Sequence, residues 1–382
     1  MRINITDLNS TEFMFSKIDK LISIKFSKEF DTKNITSMKG FFYKCNNLKS
    51  IDIHNLNIEN VEDMSYMFSQ NSNLNSILFP NSKSSKIKNM NYMFEKCSHL
   101  SSINLTSFST QNLESMSFTF HGCSSLEFID LSNFDTQKIK DMSSLFKECY
   151  NLTSIKFSNF STYNLQRMNS MFQNCSSLGS INLSSFTTEK VSNMEYMFYG
   201  CSSLTSLDLY NFDTKSVKNM ISMYSGCSSL TSINLSNFKT PELTLMSKMF
   251  EDCKYLKYVN ISNFNTEKVK SMNFMFKNCY SLISVDLTNF ITLNVTDMRH
   301  MFYGCSSLTS IDLSRFYTEN VNSMDYMFYN CSHLNYLDIS NFSNSSSFVN
   351  AFKLLPSNGT IKLNKDIINH IQNLIPKNWT VI

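Results

Sequence analysis

Residues 193–217 read NMEYMFYGCSSLTSLDLYNFDTKSV, and this stretch decides the fold because close copies of it fill most of the chain. The steps from Cys201 to Cys227 and from Cys227 to Cys253 are each 26 residues, and every cysteine lies on this period with a methionine seven residues before it. The 11 cysteines are Cys45, Cys97, Cys123, Cys149, Cys175, Cys201, Cys227, Cys253, Cys279, Cys305 and Cys331. Asn71 stands at the one position of the series that lacks a cysteine. So strict a period predicts a stacked array of similar units.

The first half of each unit has the apolar spacing of a short helix. Met194, Met197, Phe198 and Cys201 fall at i, i+3, i+4 and i+7, which places them on one helical face. Ser, Asp or Asn precedes the methionine in most units and is typical of a helix N-cap. Gly or Asn often precedes the cysteine, and these residues favour the left-handed conformation that ends helices. We therefore expect a capped helix of about two turns in each unit.

The second half of each unit alternates as a strand does. Leu204, Leu207 and Leu209 follow the cysteine in the spacing of a leucine-rich repeat, and the residues between them are polar. A threonine such as Thr214 comes later in most units, and we expect it to hydrogen-bond backbone groups of the loop. The predicted fold class is an α/β solenoid of 26-residue leucine-rich-repeat-like units. Parallel strands are expected on its concave face and short helices on its convex face.

Both ends of the chain depart from the period, as capping units do. The predicted organisation is a degenerate N-terminal capping repeat at 1–36, twelve repeats at 37–342 and a C-terminal cap at 343–382. In the C-terminal cap, Asn358-Gly359 indicates a turn, a strand is expected at 360–363, and an amphipathic helix is expected from Ile367 to Leu374.

Composition and motifs argue against several classes of function. A net charge of +3 with scattered lysines does not favour nucleic acid as a partner. No CxxC or CxxH pair is present, the six histidines form no catalytic motif, and no glycine-rich phosphate loop occurs, so no enzyme activity, metal or cofactor is expected. The cysteines share one apolar phase and are expected to be buried and unreactive. No apolar run is long enough to span a membrane, and the first residues show no secretory signal.

Residues 298–321 read MRHMFYGCSSLTSIDLSRFYTENV, and similar runs cover about residues 38–342. This unit resembles the 26-residue repeat of BspA-like leucine-rich-repeat surface proteins of bacteria, apart from Arg315, which stands where that repeat has Asn. The resemblance implies a solenoid at the cell surface that binds a protein ligand, either an extracellular-matrix or host protein or another cell. A cytoplasmic interaction scaffold is the alternative, because no signal sequence is visible. The oligomeric state is left open.

The best candidate binding surface lies on the outward side of the predicted strands. The outward position seven residues after each cysteine is mostly Asp or Asn, and its candidate binding residues are Asp208, Asp286, Asp312 and Asp338. Asp286, Asp312 and Asp338 fall on neighbouring strands, where like charges repel, so this row suggests either a cation or a basic partner, although a plain solvated polar row explains it as well. Exposed aromatic residues form a second candidate, because tyrosine often anchors protein interfaces. They are Tyr210, Tyr258, Tyr336 and Phe128.

Two further groups of residues depart from the repeat. Tyr196, Tyr199, Tyr303, Tyr326 and Tyr329 lie on the predicted helical side, and we expect them to pack against neighbouring units. The degenerate stretch 71–86 is a third candidate surface, although sequence drift explains it equally well. Its departures from the repeat, with the lysines around its end, are Leu78, Phe79, Pro80, Ser82, Lys83, Lys86 and Lys88.

Overall fold

The computed structural model describes residues 9–80, 84–106, 108–157, 160–343 and 346–382. The chain forms two compact units, Met1–Lys190 and Val191–Ile382, and each is described by itself. Within each unit, successive 26-residue turns of the chain stack through parallel strands, so each unit is a parallel β-solenoid. The predicted boundaries at residues 36/37 and 342/343 remain predictions.

Short strands mark the same segment of successive turns. In the first unit they are β1 (Ser23–Lys25), β2 (Ser50–Asp52), β3 (Ser76–Leu78), β4 (Phe128–Asp130) and β5 (Ser154–Lys156). In the second unit they are β6 (Ser232–Asn234), β7 (Tyr258–Asn260), β8 (Ser284–Val285), β9 (Ser310–Asp312), β10 (Tyr336–Asp338), β11 (Asn358–Lys362) and β12 (Asn378–Val381). The sheets run in the orders β1-β2-β3, β4-β5, β6-β7-β8 and β9-β10-β11-β12, and every pair is parallel.

The strands bury their alternate residues, as the sequence predicts. In β9, Ile311 faces the core with 3% exposure, while Ser310 and Asp312 on either side of it are exposed. Leu308 and Leu313, at the flanking apolar positions, are also buried. The pairing is in register at equivalent positions, for example Leu337 with Ile311. Alternation with period two therefore places one stack of aliphatic side chains inside each unit.

The predicted helices of the repeats are wrong. The segment that begins at each methionine forms consecutive tight turns instead of a helix. The amide of Met67 donates to the carbonyl of Met64 at 3.2 Å, with Tyr66 between them at φ +58°. The amide of Cys97 closes the same kind of turn on Phe94 at 3.1 Å, with Lys96 at φ +57°. A left-handed residue at the third position is the mark of a type II turn, and it interrupts a right-handed helix.

The amides of this turn segment pair with the next turn of the solenoid. The N–H groups of Tyr66, Phe68 and Gln70 donate to carbonyls of the following unit at 2.9, 2.9 and 2.6 Å. A helix would have used those donors within its own segment, so the inter-turn bonds replace the helical ones. Met, Met, Phe and Cys are nonetheless buried as predicted, because the two turns present the same four residues to the core.

The residues predicted as helix caps have a related role in these turns. Asp63 and Asn89 accept, at Oδ1, the amide two residues later at 2.8 and 2.9 Å. Their backbones also form a continuous ladder of parallel bridges with equivalent residues. The predicted left-handed conformation before the cysteine is confirmed, for example at Gly226 (φ +76°) and Asn278 (φ +59°). It belongs to a turn rather than to a helix end.

Polar side chains inside the solenoid join neighbouring turns. The thiol of Cys279 donates to the carbonyl of Phe250 at 3.1 Å, and most other cysteines repeat this contact. All 11 cysteines are free and buried. Thr266 donates through Oγ1 to the carbonyl of Ile291 at 2.9 Å and accepts the Ile291 amide at 2.7 Å. The predicted role of threonine in satisfying backbone groups is therefore confirmed, although the backbone belongs to the following turn.

The second unit ends in a different motif. Helix α1 (Lys365–Ile371) is capped by Asn364, whose Oδ1 accepts the amides of Asp366 and Ile367. It is the only helix in the described ranges. The predicted turn at Asn358-Gly359 is wrong, because both residues lie inside β11. Gly359 is required there, since a Cβ atom would stand 2.5 Å from the ring of Trp379.

Candidate functional site

The predicted acidic row has a structural role in backbone turns. Asp208, Asp286, Asp312 and Asp338 each accept, at Oδ1, the backbone N–H two residues later, at 2.9, 3.0, 2.8 and 3.0 Å. This is an Asx turn, which the short carboxylate or amide side chains of Asp and Asn favour. Asn occupies the same position in several other units and makes the same bond. The preference for Asp and Asn in this row follows from the turn.

The negative charge of the row is balanced where it is most buried. Asp338 lies beside Asp312 in register, and its side chain is only 5% exposed. Lys362 of β11 occupies the next position, with Nζ 3.0 Å from Oδ2 of Asp338. Burial on its own would raise the pKa of Asp338, but hydrogen bonds from Ser340 and Lys362 outweigh it and lower that pKa. The basic partner that the sequence suggests for this row is present at Asp338 within the chain itself.

Asp286 is more exposed and is held by its own turn. Its Oδ1 also accepts the hydroxyl of Thr288 at 2.7 Å, and these bonds to the charged form lower the pKa of Asp286. Among the residues that the structure describes, no group of three His, Cys, Asp or Glu side chains has the geometry to hold a metal ion.

The predicted aromatic residues are exposed but do not form one cluster. Tyr210 is 80% exposed, Tyr258 56% and Tyr336 36%. Tyr258 and Tyr336 begin β7 and β10, which are three turns apart, or about 15 Å at ordinary strand spacing. Phe128 is likewise exposed at the start of β4 in the first unit. The core is filled without these rings, so they are available for contacts with a partner.

Three of the five tyrosines of the turn side, Tyr303, Tyr326 and Tyr329, pack against neighbouring turns as predicted, whereas the rings of Tyr196 and Tyr199 contact each other within one turn. Tyr303 stacks on Tyr329 with ring centroids 4.9 Å apart. His300 lies between the rings of Phe274 and Tyr326, at 4.6 and 4.9 Å. These contacts give them a structural role.

The degenerate stretch is mostly integrated into the first unit. Phe79 packs edge-on against Phe108 with centroids 5.1 Å apart, and Pro80 is buried. Lys86 donates to Asn60 and Lys88 pairs with Glu62, so both lysines have partners. Leu78 is 56% exposed, and the predicted Ser82 and Lys83 lie outside the described residues.

The sequence analysis missed one cluster of charged residues in the first unit. The ring nitrogens of His121 lie 3.6 Å from a carboxylate oxygen of Glu95 and 3.4 Å from one of Glu148. Burial would raise the pKa of Glu95, but the interactions with His121 and Ser69 outweigh it and lower that pKa. Glu95 and His121 occupy the same position in successive repeats, two residues before the cysteine, and Glu148 lies one position later in the next repeat. An alignment of the repeats would have shown that the three side chains are neighbours.

The sequence analysis also passed over most of a second cluster, in the second unit. Residues 254–258 read KYLKY, where the preceding unit and the unit two further on have SSLTS. Of these residues only Tyr258 was predicted as a site residue. Tyr255 is 62% exposed, and Tyr280 and Ile283 of the next turn are exposed as well. The sequence feature that could have revealed this cluster was the replacement of four small outward residues within one unit.

Within the described ranges, no helix is long and apolar enough to cross a membrane.

Comparison with protein families gives matches along nearly the whole chain. A family model described as "Mycoplasma protein of unknown function, DUF285" matches residues 9–127, 114–232, 180–282, 202–310 and 244–370. The overlapping matches reflect the repeats. No curated protein matches the chain.

Solved structures similar to the chain are leucine-rich-repeat proteins. One from Bacteroides ovatus is 20% identical, with a TM-score of 0.56, over 90% of this chain and 86% of its own. One from Eubacterium ventriosum is 17% identical, with a TM-score of 0.36, over 79% of this chain and 87% of its own. The Bacteroides structure shows the fold, a leucine-rich-repeat solenoid. Solenoids of this type present extended surfaces that suit protein–protein interaction.

Proposed function

From the premise that this chain belongs to the DUF285 family of Mycoplasma proteins of unknown function, we propose that it is a non-enzymatic protein-binding solenoid of the BspA-like type, displayed at the cell surface. The proposed ligand is a protein of the extracellular matrix, of a host or of another cell. The binding surface is the outward side of the strands in the second unit.

The observation that carries this proposal is the set of large exposed aromatic residues on a surface that the fold fills with serine. Tyr258 and Tyr336 begin strands at positions where β6 and β9 have Ser232 and Ser310. Tyr210 follows directly on the Asx turn of Asp208. Tyrosine contributes large, rigid contact area at low conformational cost and is enriched among residues that dominate interface energies.

The acidic row supports the same surface in a secondary way. Asp286 and Asp312 are exposed beside this face, and their turns hold their carboxylates in fixed positions. A fixed carboxylate at the margin of an interface contributes to specificity more than to affinity.

A binding experiment with matched variants tests the proposal. The chain is immobilised and exposed to extracts of surface proteins, matrix proteins and cytosol, and retained proteins are identified by mass spectrometry. A variant with Tyr210→Ser, Tyr258→Ser and Tyr336→Ser is expected to lose the retained protein. A control with Tyr150→Ser, Tyr163→Ser and Tyr317→Ser removes tyrosines of comparable exposure away from the strands and is expected to keep it.

Retention of the same protein by both triple variants would place the binding surface elsewhere. Location in the cell is tested separately by protease treatment of intact cells followed by immunoblotting. Digestion of the chain under conditions that spare a cytosolic marker is expected. Full protection of the chain would instead favour an interaction scaffold in the cytoplasm.

A further inference from the structure

Four consecutive outward positions of one turn carry large side chains that the solenoid does not require. They are Lys254, Tyr255, Lys257 and Tyr258, which we call the KYKY patch. The turn before it has Ser228, Ser229, Thr231 and Ser232 at these positions, and the turn two further on has Ser306, Ser307, Thr309 and Ser310.

At this patch a lysine replaces a serine whose hydroxyl hydrogen bond recurs in other turns. At the first of the four positions, Ser228 and Ser306 donate hydroxyl hydrogen bonds to carbonyls of the preceding turn, at 3.4 and 3.2 Å. A lysine side chain has no hydroxyl to make that bond, and Lys254 is exposed. The backbone is unchanged, because the amide of Lys257 still donates to Thr231 at 2.8 Å and its carbonyl accepts from Ile283 at 3.3 Å. The four side chains therefore change the surface and leave the framework as it is.

The side chains of the patch are exposed, and the positive charges of its two lysines are not paired with carboxylates. Tyr255 is 62% and Tyr258 56% exposed. Within the described part of the chain, neither Lys254 nor Lys257 has a side-chain hydrogen bond, ion pair or ring contact. Two lysines that follow in the chain do have carboxylate partners, since Lys268 pairs with Glu242 at 2.7 Å and Lys277 with Glu251 at 3.0 Å. Two unpaired ammonium groups beside two tyrosine rings give a surface that is positive and aromatic.

The next turn extends the apolar part of the patch. Tyr280 and Ile283 are exposed where most other turns have small polar residues. Tyr258 of β7 is paired in register with Ser284 of β8, the residue that follows Ile283. The aromatic and aliphatic residues of the two turns therefore adjoin across about 5 Å.

We propose that the KYKY patch, with Tyr280 and Ile283, is a docking site for an acidic segment of a partner protein that carries apolar side chains among its carboxylates. Charge complementarity commits the patch to this occupant, because its free charges are both positive and the partner must supply the carboxylates. The tyrosines and Ile283 would cover the partner's apolar side chains. Two lysines are too few for a nucleic-acid surface, where charge is the main source of affinity. The inference rests on the proposed function and names the chemistry of the ligand.

Fluorescence anisotropy with defined peptides tests the docking site on the full chain. The first probe is a labelled peptide of alternating Glu, Phe and Ser residues, and the second has Gln in place of Glu. The parent chain is expected to bind the Glu peptide at least about tenfold more tightly than the Gln peptide, and to bind it more weakly as salt is added.

Two variants connect this binding to the patch. The variant K254S/Y255S/K257T/Y258S introduces the residues of the preceding turn, which the solenoid already accommodates, and it is expected to bind the Glu peptide at least about tenfold more weakly. The variant K254E/K257E keeps the tyrosines and is expected to prefer a peptide with Lys in place of Glu. Y317S, which removes an exposed tyrosine that belongs neither to the patch nor to the proposed binding surface, is expected to bind as the parent does.

Equal binding of the Glu and Gln peptides, or unchanged binding by the four-residue variant, would overturn the inference. Binding of heparin or of a single-stranded oligonucleotide through the same four residues, without binding of the Glu peptide, would also overturn it. The patch would then be a binding site for a polyanion and not for an acidic protein segment. Failure of the inference is separable from that of the proposed function. A protein retained from the extracts by the four-residue variant as well as by the parent would leave the solenoid a binding protein with a different site.

Discussion

Asn71 occupies the position of a cysteine and makes three hydrogen bonds inside the first unit. Its Nδ2 donates to the carbonyls of Phe42 and Phe68, each at 2.8 Å, and its Oδ1 accepts the amide of Cys45 at 2.7 Å. The side chain is fully buried. A thiol at an equivalent position makes only one of these bonds, to the phenylalanine of the preceding turn.

Asn71→Ala is expected to lower the free energy of unfolding by about 3 kcal/mol, because it leaves buried carbonyl and amide groups without partners. Asn71→Cys is expected to cost about 1 kcal/mol or less, since the thiol restores the contact made by the other cysteines. Urea unfolding followed by circular dichroism measures both variants. An equal loss for Ala and Cys would show that the amide has no special role.

Lys362 contributes, with Ser340, to the response of the second unit to acid, because both lower the pKa of Asp338. Because the pKa of Asp338 is lowered in the folded chain, its ionised form stabilises the fold above the ordinary aspartate pKa of about 3.9. That contribution is lost as the pH falls through the lowered pKa.

Lys362→Met is therefore expected to reduce the free energy of unfolding at pH 7, because it leaves the carboxylate of Asp338 without its cation. It should also weaken the dependence of stability on pH below about 4. Urea unfolding at several pH values measures both effects. Lys365→Met, a change of the same kind at an exposed lysine without an ion pair in the described structure, is the control and should leave both unchanged.

Single residues show how far the sequence could predict the site. The positions of Asp208, Asp286, Asp312 and Asp338 on an outward row were predictable from the period. Their Asx turns were not recognised, because a row of carboxylates suggests binding of a cation or a basic partner more readily than a hydrogen bond to the backbone. Lys362 lies outside the repeat, so no period could assign it to this row.

At the scale of the element, the segment from methionine to cysteine is where the sequence misled. Apolar residues at i, i+3, i+4 and i+7 predict which side chains face inward, and this part was right. The same spacing does not reveal where the amides donate. In a helix they bond four residues back, whereas here those of Tyr66 and Phe68 bond the next turn of the solenoid. The recurrence of Gly or Asn before cysteine was the available signal for left-handed turns.

The left-handed positions make a prediction about these turns. Lys96 has φ +57°, whereas Lys147 lies in an equivalent segment without a positive φ. A non-glycine residue in this conformation costs roughly 1–2 kcal/mol, and glycine elsewhere costs about 0.5–1 kcal/mol through the unfolded chain. Lys96→Gly is expected to raise the free energy of unfolding by about 0.5–1 kcal/mol, and Lys147→Gly is expected to lower it by a similar amount.

Chemical denaturation of the two variants beside the parent measures this difference. Gly122, Gly226 and Gly304 already occupy the position of Lys96 in other turns, so the substitution is compatible with the solenoid. A loss of stability in Lys96→Gly equal to that in Lys147→Gly would argue against strain at the left-handed position.

At the scale of the molecule, the cysteines report on whether the solenoid is intact. All 11 thiols are buried, and burial raises the pKa of Cys97 and of Cys331 to about 12. The thiolate is the reactive form, so iodoacetamide is expected to modify none of them in the native chain at neutral pH and all 11 in guanidinium. Mass spectrometry counts the modified sites. Fast modification of a cysteine in the native chain would show that its turn opens locally.

The architecture was predictable at this scale because a strict period leaves few alternatives. Stacking, parallel strands and a continuous core all follow from a repeated unit that cannot bury its apolar residues alone. The C-terminal strand and helix were also predicted, as β11 and α1. Gly359 could not be understood from its neighbours in sequence, because Trp379, 20 residues away, contacts it.

The hydrogen bonds between turns also affect which changes in repeat number the fold can tolerate. Thr266 and Cys279 contact backbone groups of the adjoining turn, and equivalent residues make the same contacts in other turns. Loss or duplication of one whole 26-residue unit would therefore join surfaces that already fit. Recombination between repeats could lengthen or shorten the chain in this way while its two end segments stay in place. A unit such as the one bearing the KYKY patch could then be copied or moved along the array, and natural selection would act on its position and number.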